Sequence, residues 1–336
     1  MTIIQKSNAF LHTVQPRITK KVRPLFLFGY LSLSMQRVVS LNRNARTTVE
    51  NTKTAESKIY RLSKNERLLT LLPRLMVELG LVRENDLVNV DFSDFNGRNV
   101  LMFAKQTEEG RAIPLYFEYI EYPIDEGSQN IFIIEAVKRF LGLIGIPVRL
   151  VWDRGFAIPS LVEFLADSRL IFYVRIKKGK RVEVKGGRVL KARRLRNKDT
   201  SVTVYGHPLR LVISDKPDEE GEPWFILTND TRRSRRTIVA IYYHRFEIEE
   251  LFKDGKRVFL LEYLRVKKDS TFRMVLWFVM LGMWFIWFLK RFDWIKGRKR
   301  SNHRRRTTLS LITYWLEWME YQMRAAVLRQ IRFAGG

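Results

Sequence analysis

VNVDFSDFNGRNVLMFAKQTEEGRAIPLYFEYI, Val88 to Ile120, contains three short runs rich in β-branched and aromatic residues: VNVDFSDF, NVLMFAKQ and AIPLYFEYI. The turn signals NGR and EEGR separate them. This texture predicts an antiparallel meander of three strands. SQNIFIIEAVKRFLGLIG follows with helical spacing and Ser128 placed as its N-cap. IPVRLVWDRG then predicts a strand, IPSLVEFLA a helix, and RLIFYVRIK a further strand.

Three strands, helix, strand, helix, strand is the order of an α/β core of the ribonuclease-H-like kind. After it the pattern breaks at KKGKRVEVKGGRVLKARRLRNKDTSVTVYGHPLRLVISDKPDEEGEPWFILTND, where hydrophobic and basic residues alternate around Gly and Pro. That predicts a β-strand insertion at about residues 177–230 within a catalytic domain of residues 79–296. Residues 1–78 are basic and helix-like, without strand alternation, and are expected to form a helical N-terminal DNA-binding domain, with a plain packing domain as the alternative. Residues 297–336 combine the basic run GRKRSNHRRR with an amphipathic C-terminal helix, which could pack on its own domain or on a second copy.

Sixty-one Lys and Arg against 35 Asp and Glu give a formal net charge of +26, spread along all 336 residues. Such a balance favours a polyanionic partner, nucleic acid ahead of an anionic membrane surface. With no cysteine there is neither a disulfide nor a thiolate metal site, and a cytoplasmic, nucleoid-associated protein is expected. LFLFGYLSLS, Leu25 to Ser34, is expected to be core of the N-terminal unit. MVLWFVMLGMWFIWFL, Met274 to Leu289, is shorter than the roughly 20 residues of a spanning helix and is expected to be a central helix buried on all sides. No membrane partner is expected; an anchored membrane protein is the alternative, for which this segment alone speaks.

The acidic residues are the exceptions in so basic a chain. The first and fourth strands of this core type lie side by side, so Asp91 in VDFSD and Asp153 in VWDRGF face each other. Asp94 and Asp86 compete with Asp91 for the first position, since an Asp at a strand end is often a turn former. YYHRFEIEELFKDGK, Tyr242 to Lys256, puts three glutamates within four residues. At about 100° per residue, Tyr242, Arg245, Glu249 and Lys256 share a stripe roughly 60° wide. Ile248, Leu251, Phe252 and Phe259 form the core face, and Glu247 and Glu250 point away as solvated or paired charges. Three converging carboxylates without partners repel, and such a cluster is expected to hold hard cations such as Mg²⁺.

Tyr242, two residues, Arg245, three residues, Glu249, six residues, Lys256 resembles the Y-(2)-R-(3)-E-(6)-K signature of the insertion-sequence-four family of bacterial DDE transposases. The likeness covers roughly Asp86 to Lys256, with VDFSD and VWDRGF upstream in the family's order. It implies a metal-binding catalytic triad of Asp91, Asp153 and Glu249, loaded with two Mg²⁺ or Mn²⁺ ions. It implies phosphate contacts from Tyr242, Arg245 and Lys256, and another from Arg175 in FYVRIK. It also implies that Trp224 in WFILT stacks on a flipped base, the alternative being a partly buried strand aromatic. The implied activity is cleavage and strand transfer at the terminal inverted repeats of a bacterial or archaeal element, by cut-and-paste with hairpin ends as one route, on double-stranded element and target DNA, by a homodimer in a synaptic complex. A catalytically inactive DNA-binding inhibitor of transposition and another ribonuclease-H-like nuclease are the alternatives.

Overall fold

The Asn-Gly pair of the first hairpin sets the start of the sheet. In the computed structural model Asn96 and Gly97 both take positive φ (55° and 80°), the backbone that a two-residue hairpin turn needs. They join β1 (Leu87–Phe95) to β2 (Arg98–Lys105), with Asp94 Oδ1 accepting from the Gly97 amide at 3.2 Å. The structure describes residues 9–10, 12–14, 51–65, 74–108, 110–120, 127–217, 221–264 and 266–291. The expected core stretch at Leu25 to Ser34, most of the N-terminal domain and the whole C-terminal helix fall outside the described residues.

The chain divides into two compact units, Met76–Phe252 and Met1–Leu75 with Lys253–Gly336. In the first, the meander closes with β3 (Ile113–Ile120), which pairs antiparallel with β2. Helix α1 of that unit (Ser128–Ile144) buries Ile133, Ala136, Val137, Phe140 and Ile144 and stops at Gly145, whose φ of 67° suits the glycine. Ser128 is its first helical residue; the N-cap is Gly127, in a left-handed conformation and without a side-chain cap. The expected Ser128 cap is therefore displaced by one position, because a residue without a Cβ takes the left-handed backbone found there most readily.

Strand β4 (Arg149–Trp152) runs parallel beside β1, with Val90 opposite Trp152. Helix α2 (Pro159–Asp167) begins with Pro in its first turn, where the missing N–H costs nothing. It leads to β5 (Phe172–Ile176), parallel to β4. The expected order of three strands, helix, strand, helix, strand is present, and the expected neighbours β1 and β4 are paired.

Between β5 and the next helix lie β6 (Arg181–Val184), β7 (Arg188–Lys191), β8 (Asp199–Val204), β9 (His207–Pro217) and β10 (Pro223–Thr228). Strand β10 returns antiparallel along β5, so one ten-stranded sheet runs β3-β2-β1-β4-β5-β10-β9-β8-β6-β7. It is a mixed sheet, parallel only across β1-β4-β5. Helix α3 (Arg235–Tyr243) follows, capped by Ser234, whose hydroxyl accepts from the Thr237 amide. A 3₁₀ turn, His244–Phe246, separates it from α4 (Glu247–Arg257).

In the other unit, α5 (Asp269–Arg291) buries every residue from Met274 to Phe285, as a helix apolar all round must. Phe10 packs on its Phe285 at 5.2 Å, and a helix of residues Thr52–Ser63 also contacts it. Among the described residues no helix is long and apolar enough to cross a membrane.

Candidate active site

The pleat decides which acids can meet. Asp91 follows Val90 on β1 and Asp153 follows Trp152 on β4, and that pair is in register, so the two carboxylates leave adjacent parallel strands at the same level. Phe92 and Phe156 stack at 5.6 Å beside them, and Phe156 also packs on Trp152 at 5.1 Å. The competing acids have other work. Asp94 closes the hairpin turn, and Asp86 accepts from the Arg83 amide and pairs with Lys105 at 2.7 Å.

Glu249 reaches the two aspartates through a break in the helix. The stretch Tyr242 to Lys256, expected as one continuous helix, is interrupted by the 3₁₀ turn that carries Arg245. Three acids nevertheless surround that arginine. Its Nη1 donates to Asp91 Oδ2 at 3.2 Å, its Nη2 donates to Glu249 Oε1 at 2.6 Å, and its Nε lies 3.7 Å from Asp153 Oδ1. The Arg245 side chain is 6% exposed, against 20%, 37% and 41% for Asp91, Asp153 and Glu249. The guanidinium thus forms the floor and the carboxylates the rim.

Electrostatics follow from that placement. Burial pushes the Asp91 carboxyl up to about 7, the Arg245 charge pulling against it and the Asp153 and Glu249 charges adding to it. Burial works against the Arg245 charge too, but Tyr242 and the three acids outweigh it. Carboxylate oxygen is the donor type that Mg²⁺ and Mn²⁺ prefer, so the residues suit such an ion in kind. As placed, no group of three or more His, Cys, Asp or Glu among the described residues could hold a metal, and here Arg245 is the cation the acids share.

The other expected site residues fall at different depths. Tyr242 is fully buried and donates to Asp153 Oδ1 at 3.3 Å, its hydroxyl proton held tightly by burial and by the acid beside it. Here it positions an acid rather than facing solvent. Arg175 is half-buried on β5, in register with Ile226, and its charge acts on the Tyr242 hydroxyl. Lys256, in the last turn of α4, lies 3.7 Å from Glu262. Trp224, 8% exposed, packs edge-on to Tyr242 at 5.2 Å within a cluster that includes Val151, Tyr173 and Ile238. The indole is a core aromatic of β10; the exposed rings next to it belong to Tyr243 and Phe246.

Glu247 corrects the helical-wheel reading. Expected in solvent, it is buried and accepts from the Thr107 amide at 2.7 Å, the Gly110 amide at 3.2 Å and the Thr107 hydroxyl at 3.4 Å. His244 Nδ1 also lies 3.2 Å from its Oε1, but the Thr107 and Gly110 partners stand about 140 residues earlier in the chain, where no local pattern announces them. Glu250 pairs with Arg111 at 3.0 Å, as a paired surface charge should, and Ile248, Leu251, Phe252 and Phe259 are buried as expected. Sequence reasoning also passed over Asn89 and Gln106, two buried amides beneath the site. Their signal was a lone Asn between valines on the strand that carries Asp91.

No curated protein matches the sequence. Among solved structures the chain is similar to "Crystal structure of Aa-Ago with externally-bound siRNA" at 13% identity and a TM-score of 0.26, covering 76% of this chain and 39% of that one. A likeness that low bears on neither fold nor function. Residues 133–285, somewhat under half of the chain, match the family described as "Transposase DDE domain". The matched span includes Asp153, the α3–α4 joint and Glu249, and this similarity supports a DDE transposase.

Proposed function

We infer that the chain is a transposase of the insertion-sequence-four kind, which binds the ends of its own element on duplex DNA and cuts and rejoins them as a homodimer in the bacterial or archaeal cytoplasm. The observation that carries this reading is the convergence of Asp91, Asp153 and Glu249, from two adjacent strand ends and a helix, on the single buried guanidinium of Arg245. Three partly exposed acids around one buried cation in a strongly basic chain suit phosphodiester chemistry.

Turned from Arg245, Asp91, Asp153 and Glu249 would hold two Mg²⁺ or Mn²⁺ ions, which would supply an activated water or 3′-hydroxyl and stabilise the leaving oxygen. The chain's own residues do the rest. Arg245 keeps the carboxylates from repelling one another in their absence, Tyr242 orients Asp153, and Arg175 and Lys256 add positive charge for the DNA backbone. The test is incubation of the full chain with duplexes carrying the terminal inverted repeats that flank its own coding sequence, with Mg²⁺ or with EDTA. Mg²⁺-dependent strand breaks at the repeat ends are expected. Repeat binding with no cleavage in Mg²⁺ or Mn²⁺ would reduce the chain to a DNA-binding inhibitor of transposition.

A further inference from the structure

Two buried amides spend their hydrogen bonds on the helix break rather than on the sheet. Asn89 lies on β1 two residues before Asp91, so the pleat puts both on one face. Its Nδ2 donates to the carbonyls of His244 at 3.1 Å and Arg245 at 3.3 Å. Gln106, just past β2, donates from Nε2 to Asn89 Oδ1 at 2.6 Å and to the Ile241 carbonyl at 3.0 Å. All the amide hydrogens of the pair are thereby used. The Gln106 Oε1 atom, by contrast, is buried without a hydrogen-bond partner, a cost that an apolar residue would avoid, so it is the two donors that the site requires.

Those donors answer a specific need. An unbroken α-helix directs each carbonyl at the N–H four residues on, and the tighter 3₁₀ turn at His244–Phe246 disturbs that ladder. The amides take up the Ile241 carbonyl before the turn and the His244 and Arg245 carbonyls within it, the latter two alongside the Glu247 amide. On the far side, the buried Glu247 carboxylate accepts from the Thr107 and Gly110 amides, and its carbonyl accepts from Ala112 at 3.2 Å. The segment between β2 and β3 therefore grips the joint both before and after Arg245.

We propose that Asn89 and Gln106, with Glu247, are positioning residues that hold the α3–α4 break in the one geometry that sets Arg245 and Glu249 against Asp91 and Asp153. The proposal rests on the reading of these acids as the DNA-cutting site. Asn89→Leu and Gln106→Met remove the donors with apolar side chains of similar length, and Val202→Ala, buried on β8, serves as a control of general destabilisation.

The first measurement is amide hydrogen exchange at residues 244–250 in the full chain, without metal or DNA. The second is the rate of repeat-end cleavage in Mg²⁺ at saturating DNA, and the third is repeat affinity in EDTA. Asn89→Leu is expected to lose protection at the joint by about tenfold or more, as a lost buried hydrogen bond predicts. It is expected to cleave roughly 10- to 100-fold more slowly, because small misplacements of reacting groups cost that much. Affinity should stay near the wild-type value, since most of the 61 Lys and Arg available for phosphate contacts lie away from the joint. Gln106→Met should show the same pattern more weakly, and it carries the test if Asn89→Leu does not fold. Unchanged protection, or cleavage slowed no more than in Val202→Ala, overturns the proposal. A wild-type chain that cuts nothing overturns the catalytic purpose, and the exchange measurement then separates that failure from a joint the pair does not hold.

Discussion

Two regions of the sheet are built by opposite means. Under the α3–α4 joint, β1 and the residue just past β2 present buried amides, Asn89 and Gln106, which bond each other and backbone carbonyls more than 130 residues away in sequence. At the far edge, β6 and β7 pair through local backbone bonds and carry exposed Arg181, Glu183, Arg188 and Lys191. A buried polar group tolerates few geometries, because an unmet donor or acceptor costs about 1 to 3 kcal/mol. An exposed charge tolerates many, since water replaces whatever it loses. The joint therefore fixes a shape, whereas the edge displays a charge. Charges on an outer strand also discourage edge-to-edge association.

The largest effects should come from the acids that the joint positions. Asp91→Ala, Asp153→Ala and Glu249→Ala are each expected to reduce repeat-end cleavage to below roughly one-thousandth, the loss of several kcal/mol of transition-state stabilisation. Melting in EDTA should hardly change, because all three side chains are partly exposed and their mutual repulsion is relieved. Cleavage at the wild-type rate by any one variant would remove that residue from the site.

Next come residues whose loss is felt by the fold. Trp224→Ala is expected to cost about 3 to 5 kcal/mol, the range for emptying a buried aromatic site. Because the indole packs on Tyr242, which in turn holds Asp153, first-strand nicking and any later step should fall together. A variant that nicks normally and stalls afterwards would instead place Trp224 on an extruded base. Glu247→Ala should cost about 1 to 3 kcal/mol by stranding the Thr107 and Gly110 amides, read as a lower denaturant midpoint. A midpoint matching the wild type would mean that water can replace the carboxylate there.

Much of this was legible before any coordinates. Strand alternation, the Asn-Gly turn and the Pro-started helix are local signals, and they located β1 to β5 and their order. The spacing of Tyr242, Arg245 and Glu249 likewise marked residues that do meet Asp91 and Asp153. What stayed hidden was non-local. No Gly or Pro marks the break at His244–Phe246, which is held by amides from another part of the chain. Glu247 looked solvated because periodicity assigns a face but cannot say that a loop will close over it. Trp224 sits in an ordinary alternating strand, and nothing in such a strand tells an outward aromatic from one covered by a later helix.

The smallest effect expected on stability belongs to the far edge, and it tests the other half of the contrast. Arg188→Ala with Lys191→Ala removes two exposed cations from the outermost strand. Surface substitutions of this kind stay within about 0.5 kcal/mol, so the melting curve should barely move. The ladder between β6 and β7 is backbone and should survive intact. If the edge displays charge for a DNA backbone, each lost phosphate contact lowers the steepness of the log affinity against log salt plot by about 0.9 for duplex DNA. The double variant should therefore bind repeat DNA with a slope shallower by between about 0.9 and 1.8, and lose equal affinity for unrelated duplex, because a phosphate contact reads no sequence. An unchanged slope would show that these cations serve only to keep the outer strand soluble. A large drop in melting temperature would show that the edge, like the joint, is held by specific bonds, and the contrast between the two regions would fail.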